Sequence, residues 1–154
     1  MTKPTQYLLV DDDADDAFFV ERAFKAASVG YSLAIVPNGM EAIHYLNGKA
    51  EYADRQSHPL PDVMLLDLKM PVCDGFHVLK WLRADTRATI RLLPVIILSS
   101  SSSPDDIKQA YALGANAYMT KPIDFKKLKE HLGMLGIGWI EHAKKPELTQ
   151  PSAT

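Results

Sequence analysis

The chain has 154 residues, and its 17 lysines and arginines against 19 aspartates and glutamates give a formal net charge of −2 at pH 7. This length suits one domain with a single hydrophobic core, and the sequence contains no apolar run long enough to cross a bilayer. The near-neutral charge argues against binding to nucleic acid, which requires a clustered basic surface. The lone cysteine excludes an internal disulfide, and the lack of a secretory signal leads us to expect a cytoplasmic protein.

Short apolar runs alternate with helical patterns along most of the chain. The runs predict strands near residues 7–10, 31–36, 63–66, 95–98 and 117–119. Apolar residues at helical spacing follow each run and predict helices within residues 17–27, 42–46, 78–82, 107–113 and 124–135. Because the runs are largely apolar throughout, they indicate a parallel sheet that is covered on both faces. The predicted fold class is therefore α/β, with a doubly wound five-stranded parallel sheet and helices on both faces.

Two stretches fall outside this alternation. Residues 49–61 are polar and predict a loop that is long for this fold, and residues 144–154 predict a flexible C-terminal tail. The predicted organisation is one domain over residues 1–143, followed by that tail. Asp124 is expected to cap the last helix, because its side chain can accept hydrogen bonds from first-turn N–H groups.

Carboxylate, hydroxyl and ammonium side chains follow four of the predicted strands. Asp11 and Asp12 follow the first strand, and Asp67 follows the third. Ser99 ends the fourth strand, and Lys121 comes just after the fifth. Ligands of doubly wound sheets bind beyond the carboxyl ends of the strands, so we expect these side chains to face one crevice.

Carboxylates gathered at such an edge repel one another, and a hard divalent cation is the usual compensation. Mg²⁺ suits the site best, because it binds a few carboxylates, keeps some of its waters and leaves a position for a phosphoryl oxygen. Asp67 is then placed to act as a nucleophile and to accept a phosphoryl group as an aspartyl phosphate. Ser99 and Lys121 would help to balance the charge on the transferring group.

Short motifs surround each of these residues. They are Leu9-Val10-Asp11-Asp12, Leu65-Leu66-Asp67-Leu68-Lys69-Met70-Pro71, Asp74-Gly75, Ser99 and Lys121-Pro122. With these motifs in this order over residues 6–135, the chain closely resembles the receiver domains of two-component response regulators. The resemblance implies a CheY-like fold with strand order 2-1-3-4-5 and a sensor histidine kinase as phosphoryl donor. It also implies a signalling role rather than enzymatic turnover.

The same resemblance implies roles for individual residues. Asp67 would be the phosphoacceptor and a metal ligand, Asp12 a direct Mg²⁺ ligand, and Asp11 a ligand through water. The backbone carbonyl of Lys69 would complete the metal shell. Ser99 would swing its hydroxyl toward the phosphoryl group.

Two residues at the last strand complete the implied switch. Lys121 would form an ion pair with the phosphoryl group, and Tyr118 would turn inward on activation. Tyr118 could equally be a partly exposed aromatic residue of the sheet edge. The Lys121-Pro122 bond stands where receivers carry a cis peptide.

A narrower resemblance involves the long loop and the end of the chain. Its motifs are Asn38-Gly39-Met40-Glu41-Ala42, Tyr45-Leu46, Pro61-Asp62, Leu113-Gly114-Ala115-Asn116-Ala117-Tyr118 and Trp139. They look like those of the single-domain regulators that pair with bacterial phytochrome histidine kinases. The resemblance implies a bacteriophytochrome-type kinase as partner, and a homodimer through the face of the fourth and fifth helices and the fifth strand. Residues 137–140, which include Trp139, are expected to belong to that contact, and no partner is expected to be a membrane or a nucleic acid.

Two other functions remain open from the residues alone. An aspartyl-phosphate phosphatase would use the same aspartate, serine and lysine set, but such enzymes usually carry a second aspartate where this chain has Lys69. A receiver-like module that binds proteins without switching would have no need of the complete set.

Several neighbouring residues also have a simpler interpretation. Asp13, Asp15 and Asp16 suit a solvated helix start, where negative charge is favoured. The serines at 100–103 are expected to be solvated or to cap a helix, and Cys73 to be an ordinary thiol.

Overall fold

A computed structural model of the protein describes residues 4–26 and 30–134. Within these residues, five parallel strands form one sheet in the order β2-β1-β3-β4-β5. The strands are β1 (Thr5–Val10), β2 (Tyr31–Val36), β3 (Val63–Leu66), β4 (Val95–Ser99) and β5 (Ala117–Thr120). The predicted fold class and strand order are confirmed.

Helices connect successive strands along the chain. They are α1 (Ala14–Ala26), α2 (Gly39–Asn47), α3 (Gly75–Arg83), α4 (Ala88–Arg91), α5 (Pro104–Ala112) and α6 (Phe125–Met134). The five predicted helices correspond to α1, α2, α3, α5 and α6. The one-turn helix α4 was not predicted, because four residues with a single buried side chain, Ile90, are too few to show a helical period.

The hydrophobic core lies in two layers, one on each face of the sheet. Alternate residues of a strand point to opposite faces, so Leu8 and Val10 join one layer while Tyr7 and Leu9 join the other. The first layer packs under α2 and α3, and the second packs under α1 and α6. Phe24 of α1 is fully buried in the second layer. Burial on both faces explains why the central strands are apolar throughout.

Side chains at the helix starts satisfy N–H groups that have no partner within the helix. The carboxylate of Asp124 accepts a hydrogen bond from the backbone N–H of Lys126 at 3.0 Å, which confirms the predicted cap. Asp74 accepts from His77 N–H at 2.9 Å at the start of α3. The Asp74-Gly75 motif is also a packing requirement, because a Cβ at Gly75 would lie 2.5 Å from the carbonyl oxygen of Asp67.

The predicted loop at residues 49–61 contains a 3₁₀ turn, Ala50–Tyr52, and Arg55 is one of the side chains that bind it to α2. The Arg55 guanidinium donates to the carbonyl of Tyr45 at 2.8 Å and to that of Leu46 at 2.9 Å. These carbonyls belong to the last turn of α2, where acceptors have no partner in a following helical turn. Together with the hydrogen bonds from Tyr45 to Pro59 and from Tyr52 to Glu41, this arginine orders a segment that has no hydrophobic period.

One residue of the loop between β3 and α3 has a strained backbone. Val72 has φ of 72°, and its residue surface is 88% exposed. A β-branched residue is disfavoured in this left-handed region by about 1–2 kcal/mol. We expect Val72→Asn to raise the free energy of unfolding by about 1 kcal/mol, as measured by urea denaturation, because asparagine tolerates this conformation.

Val72→Ala is the matched control for that prediction. It removes the β-branch and most of the apolar surface but keeps an ordinary L residue at positive φ, so its gain in stability should be smaller. Equal stability of the two variants and the original chain would contradict the assignment of strain to Val72.

Candidate functional site

Three carboxylates meet at the carboxyl ends of β1 and β3. Val10 of β1 pairs in register with Leu66 of β3, so the residues that follow them, Asp11 and Asp67, emerge side by side. One carboxylate oxygen from each of Asp11, Asp12 and Asp67 lies within 4.8 Å of the others. Asp11 and Asp67 are buried, whereas Asp12 is exposed. The structure thus brings the three predicted side-chain ligands together.

Lys121 is the cation of this cluster. Its Nζ lies 2.8 Å from Asp11 Oδ2, 2.8 Å from Asp16 Oδ2 and 3.5 Å from Asp67 Oδ2. The side chain leaves the loop after β5, where the Lys121-Pro122 peptide is cis, as the resemblance implies. One ammonium group thereby bridges carboxylates that follow two different strands.

Asp16 is a neighbour of the cluster that the sequence interpretation missed. We expected a solvated side chain, but its carboxylate binds Lys121 as closely as that of Asp11 does. Asp13 instead has the simpler role, because its carboxylate accepts from Asp15 N–H at 2.9 Å and so caps α1. The position of Asp16 in the first turn of α1, just beyond the end of β1, was the available signal.

Burial and charge set the protonation of the site. The pKa of Asp67 is raised to about 6, first by burial and then by the charges of Asp11 and Asp12, while Lys121 acts in the opposite direction. Burial alone would lower the pKa of Lys121, but the hydrogen bonds to Asp11 and Asp16 outweigh it and raise that pKa above its ordinary value. The site therefore holds a fixed cation beside a carboxyl group that resists ionisation.

The donor set fits a hard divalent cation. Three carboxylate oxygens stand close together, and they share one nearby ammonium group, that of Lys121. A divalent cation with several open water positions matches this geometry. Lys69 lies at the rim, and its backbone N–H hydrogen-bonds to Asp67 and lowers the pKa of that carboxyl. The role of its carbonyl stays a prediction.

Ser99 and Tyr118 lie on neighbouring strands and both contact Ser101. Ser99 is fully buried, and its hydroxyl oxygen accepts a hydrogen bond from Ser101 N–H at 3.1 Å. The Tyr118 hydroxyl donates to the Ser101 carbonyl at 2.7 Å. Tyr118 is partly buried at the sheet edge. This position is compatible with a switch residue and with an ordinary aromatic residue of the edge strand.

Ser101 differs from its sequence interpretation. Instead of being solvated or capping α5, its hydroxyl donates to the carboxylate of Asp106 at 2.6 Å. That hydrogen bond lowers the pKa of Asp106, and the nearby charge of Lys69 acts in the same direction. Ser103 stands at the cap position of α5, but its side chain makes no capping hydrogen bond. Cys73 is a buried free thiol, as expected.

The combination of fold and site matches that of a known protein family. A family model described as the response regulator receiver domain matches residues 7–133. The chain therefore belongs to the response regulator receiver domain family. The matched region contains every residue of the site described above.

Relatives with the same architecture include a curated cyanobacterial protein. The chain is 30% identical over 143 residues to the response regulator Rcp1 of Synechocystis sp., a match that covers 93% of this chain and 94% of Rcp1. A structure of the Mn²⁺-bound form of Rcp1 matches with a TM-score of 0.70 at 31% identity, over 94% of this chain and 100% of that one.

Two further solved structures are of phytochrome response regulators. The bacteriophytochrome response regulator RtBRR matches with a TM-score of 0.76 at 34% identity, over 93% of this chain and 84% of that one. The phosphorylated cyanobacterial phytochrome response regulator RcpA matches with a TM-score of 0.71 at 33% identity, over 94% and 99% of the two chains. Across residues 4–26 and 30–134, none of the helices is both long enough and apolar enough to span a membrane.

Proposed function

We propose that this chain is a single-domain response regulator that accepts a phosphoryl group on Asp67. The observation that carries the proposal is the position of Asp67, which is buried, adjoins two further carboxylates and lies 3.5 Å from the Lys121 ammonium. A lone structural aspartate would have no need of these neighbours. The match to a phosphorylated relative of the same architecture supports the assignment.

The proposed reaction is a transfer between two carriers. A carboxylate oxygen of Asp67 forms a bond to phosphorus while the bond from phosphorus to the imidazole nitrogen of a phosphohistidine breaks, and the imidazole then takes up a proton. Mg²⁺ held by Asp11, Asp12 and Asp67, with the Lys69 carbonyl, would supply positive charge to the phosphoryl oxygens.

The chain's own residues complete the proposed transfer. Lys121 is fixed by Asp11 and Asp16, so its ammonium group is already in position to bind a phosphoryl oxygen. Ser99 lies at the end of the neighbouring strand β4 and can donate its hydroxyl hydrogen to another phosphoryl oxygen after the loop moves.

The proposed donor is a sensor histidine kinase of the phytochrome type. Two relatives that match over more than nine-tenths of this chain are phytochrome response regulators. We propose a cytoplasmic protein with one receiver domain over residues 1–143 and a tail over residues 144–154. The protein would signal through protein contacts and would not turn over external substrates.

A homodimer is part of this proposal. The predicted face corresponds to α5, β5 and α6, and it includes Tyr111 of α5, which is 42% exposed. The expected contribution of residues 137–140, with Trp139, lies outside the described residues. Sedimentation with and without beryllofluoride tests the dimer, and a monomer under both conditions would remove this part of the proposal.

The experiment that tests the function supplies a phosphoryl analogue. Beryllofluoride added with Mg²⁺ should shift the amide NMR signals of Ser99, Lys121 and Tyr118, and Mg²⁺ alone should produce a smaller change. A protein that binds Mg²⁺ but ignores beryllofluoride would favour the unswitched binding module. Sustained release of phosphate from a phosphomonoester would favour the phosphatase instead.

Mg²⁺ binding should depend on pH because Asp67 must be ionised to coordinate the metal. Since the pKa of Asp67 is about 6, most of its carboxyl groups are protonated at pH 5 and few are at pH 7.5. The charges that face this group are Asp11, Asp12 and Lys121. We expect the Mg²⁺ dissociation constant, measured by calorimetry, to rise about tenfold between pH 7.5 and pH 5.

The control for this prediction is Asp67→Asn, which cannot take up a proton at the position. Its Mg²⁺ affinity should be weak at pH 7.5 and should change less between the two pH values. An unaltered affinity of the original chain down to pH 5 would contradict coordination of the metal by an Asp67 carboxyl group with this raised pKa.

A further inference from the structure

A chain of polar contacts joins the loop after Asp67 to the first turn of α5. Lys69 Nζ lies 3.4 Å from Asp106 Oδ2, and the same oxygen accepts a hydrogen bond from Ser101 Oγ at 2.6 Å. The Asp106 side chain is only 19% exposed, whereas that of Lys69 is 62% exposed. Asp106 is therefore held in place, while Lys69 is free to take up other positions.

Ser101 connects Asp106 to the two predicted switch residues. Its backbone N–H donates to the Ser99 hydroxyl oxygen at 3.1 Å, and its carbonyl accepts from the Tyr118 hydroxyl at 2.7 Å. The side chain of Ser101 is bound separately: its hydroxyl donates to Asp106 at 2.6 Å, and its oxygen accepts a longer hydrogen bond from Ser103 N–H at 3.2 Å. Because Ser99 and Ser101 are joined in this way, any movement of Ser99 toward Asp67 must also displace Ser101 or break their hydrogen bond.

We propose that Asp106 is a positioning residue that restrains Ser99 through Ser101 in the unphosphorylated protein, and that Lys69 controls this restraint by moving from Asp106 to the phosphoryl group. The inference rests on the proposed phosphoryl acceptance at Asp67 and concerns the regulation of that site. Tyr118 and Asp106 then hold Ser101 from two sides, one at its carbonyl and the other at its hydroxyl.

The charges explain why the restraint would release. Lys69 follows Asp67 by two residues, and its ammonium group stands on a flexible stem. A phosphoryl group on Asp67 brings additional negative charge and new acceptor oxygens close to Lys69. When Lys69 turns to them, the mostly buried carboxylate of Asp106 is left without its ion-pair partner, which favours a rotation of the side chain toward water. That rotation breaks the hydrogen bond to Ser101, and Ser99 is then able to donate to the phosphoryl group.

The neighbouring residue Asp105 provides a matched control. It lies in the same first turn of α5 and carries the same charge, and it is exposed at the surface. Asp106→Ala and Asp105→Ala therefore make the same change in composition and net charge one residue apart. A general effect of charge at the start of α5 would appear in both variants.

The test compares amide NMR shifts of Ser99, Ser101 and Tyr118 in the original chain and in both variants, with Mg²⁺ and with or without beryllofluoride. Without beryllofluoride, we expect the signals of Asp106→Ala to be displaced toward the positions that beryllofluoride induces in the original chain. Phosphorylation by acetyl phosphate should be about five- to tenfold faster, because one charge-assisted hydrogen bond no longer opposes the change. Asp105→Ala should match the original chain in both measurements.

Lys69→Gln tests the second half of the proposal. It should also shift the signals toward the beryllofluoride-bound positions, and it should add little in the Asp106→Ala background, since both changes remove the same contact. If Asp106→Ala unfolds, Asp106→Asn keeps an acceptor oxygen for Ser101 but loses the ion pair. A displacement in the same direction is then expected for that variant.

The outcomes separate this inference from the proposed function. An original chain that does not respond to beryllofluoride would overturn the proposed function. A normal response of the original chain, together with identical signals and phosphorylation rates in Asp106→Ala and Asp105→Ala, would overturn the role of Asp106. Fully additive effects of Lys69→Gln and Asp106→Ala would show that Lys69 does not act through its contact with Asp106, which would overturn the proposed role of Lys69.

Discussion

Asp67→Asn should abolish phosphoryl uptake from acetyl phosphate, with a loss in rate of at least about a hundredfold. The amide is similar in size to the carboxylate but has neither its negative charge nor its nucleophilic oxygen. Uptake is measured from radiolabelled acetyl phosphate in the presence of Mg²⁺. Asp15→Asn is the matched control, because it removes an exposed carboxylate from the first turn of α1 outside the cluster, and it should keep the full rate.

The same variant should be more stable when no divalent cation is present. The folded-state pKa of Asp67 is about 6, which is above the ordinary value of 3.8, so the folded protein binds this proton more tightly than the unfolded chain does. Stability is therefore lost as the pH rises from about 4 to about 6, and the loss is complete at pH 7. We expect Asp67→Asn to raise the free energy of unfolding at pH 7 by up to about 3 kcal/mol.

Loss of activity together with a gain in stability would assign Asp67 to function rather than to folding. A variant that is both inactive and less stable than the original chain would contradict this description of the site, since Asp67 would then contribute to folding. Retained phosphoryl uptake in Asp67→Asn would place the acceptor elsewhere.

The second large effect is expected at Arg83, far from the site. The guanidinium donates to the Gly114 carbonyl at 2.7 and 3.0 Å and to the carbonyls of Arg91 and Leu93 at 2.8 Å each. It also donates to the Asn116 side chain at 3.0 Å. Arg83 of α3 therefore connects the segment before β4 to the segment before β5 through hydrogen bonds.

Arg83→Met keeps most of the aliphatic stem and removes all five donors. Three carbonyl groups would then lose a charged partner in a partly buried region, so the free energy of unfolding should fall by about 3 kcal/mol. Urea denaturation measures the change. Lys80→Met makes the same kind of substitution at an exposed position of the same helix and should cost less than about 0.5 kcal/mol. Equal losses for the two variants would show that the Arg83 hydrogen bonds contribute nothing specific.

The location of the site could be predicted from the sequence because its residues follow the ends of neighbouring parallel strands. Asp11 and Asp67 follow β1 and β3 at positions that pair in register, and Ser99 pairs with Thr120, the residue before Lys121. Apolar runs that end at polar residues therefore determine which side chains meet.

Contacts between distant side chains and backbone could not be predicted in the same way. Arg83 and Arg55 bind carbonyl groups through long flexible stems, and no period in the sequence marks their acceptors. Asp16 and Asp106 were missed for a related reason, because a charged residue in the first turn of a helix also suits a solvated surface. Only the folded arrangement shows that one of them binds Lys121 and the other binds Ser101.

The most direct measurement of the central claim is to locate the acyl phosphate itself. The protein is incubated with acetyl phosphate and Mg²⁺, reduced with borohydride to convert an aspartyl phosphate to homoserine, and digested for mass spectrometry. We expect a single converted residue, at Asp67, and no conversion when Mg²⁺ is chelated. Conversion at another aspartate, or an unmodified Asp67 in protein that has bound Mg²⁺, would contradict the claim.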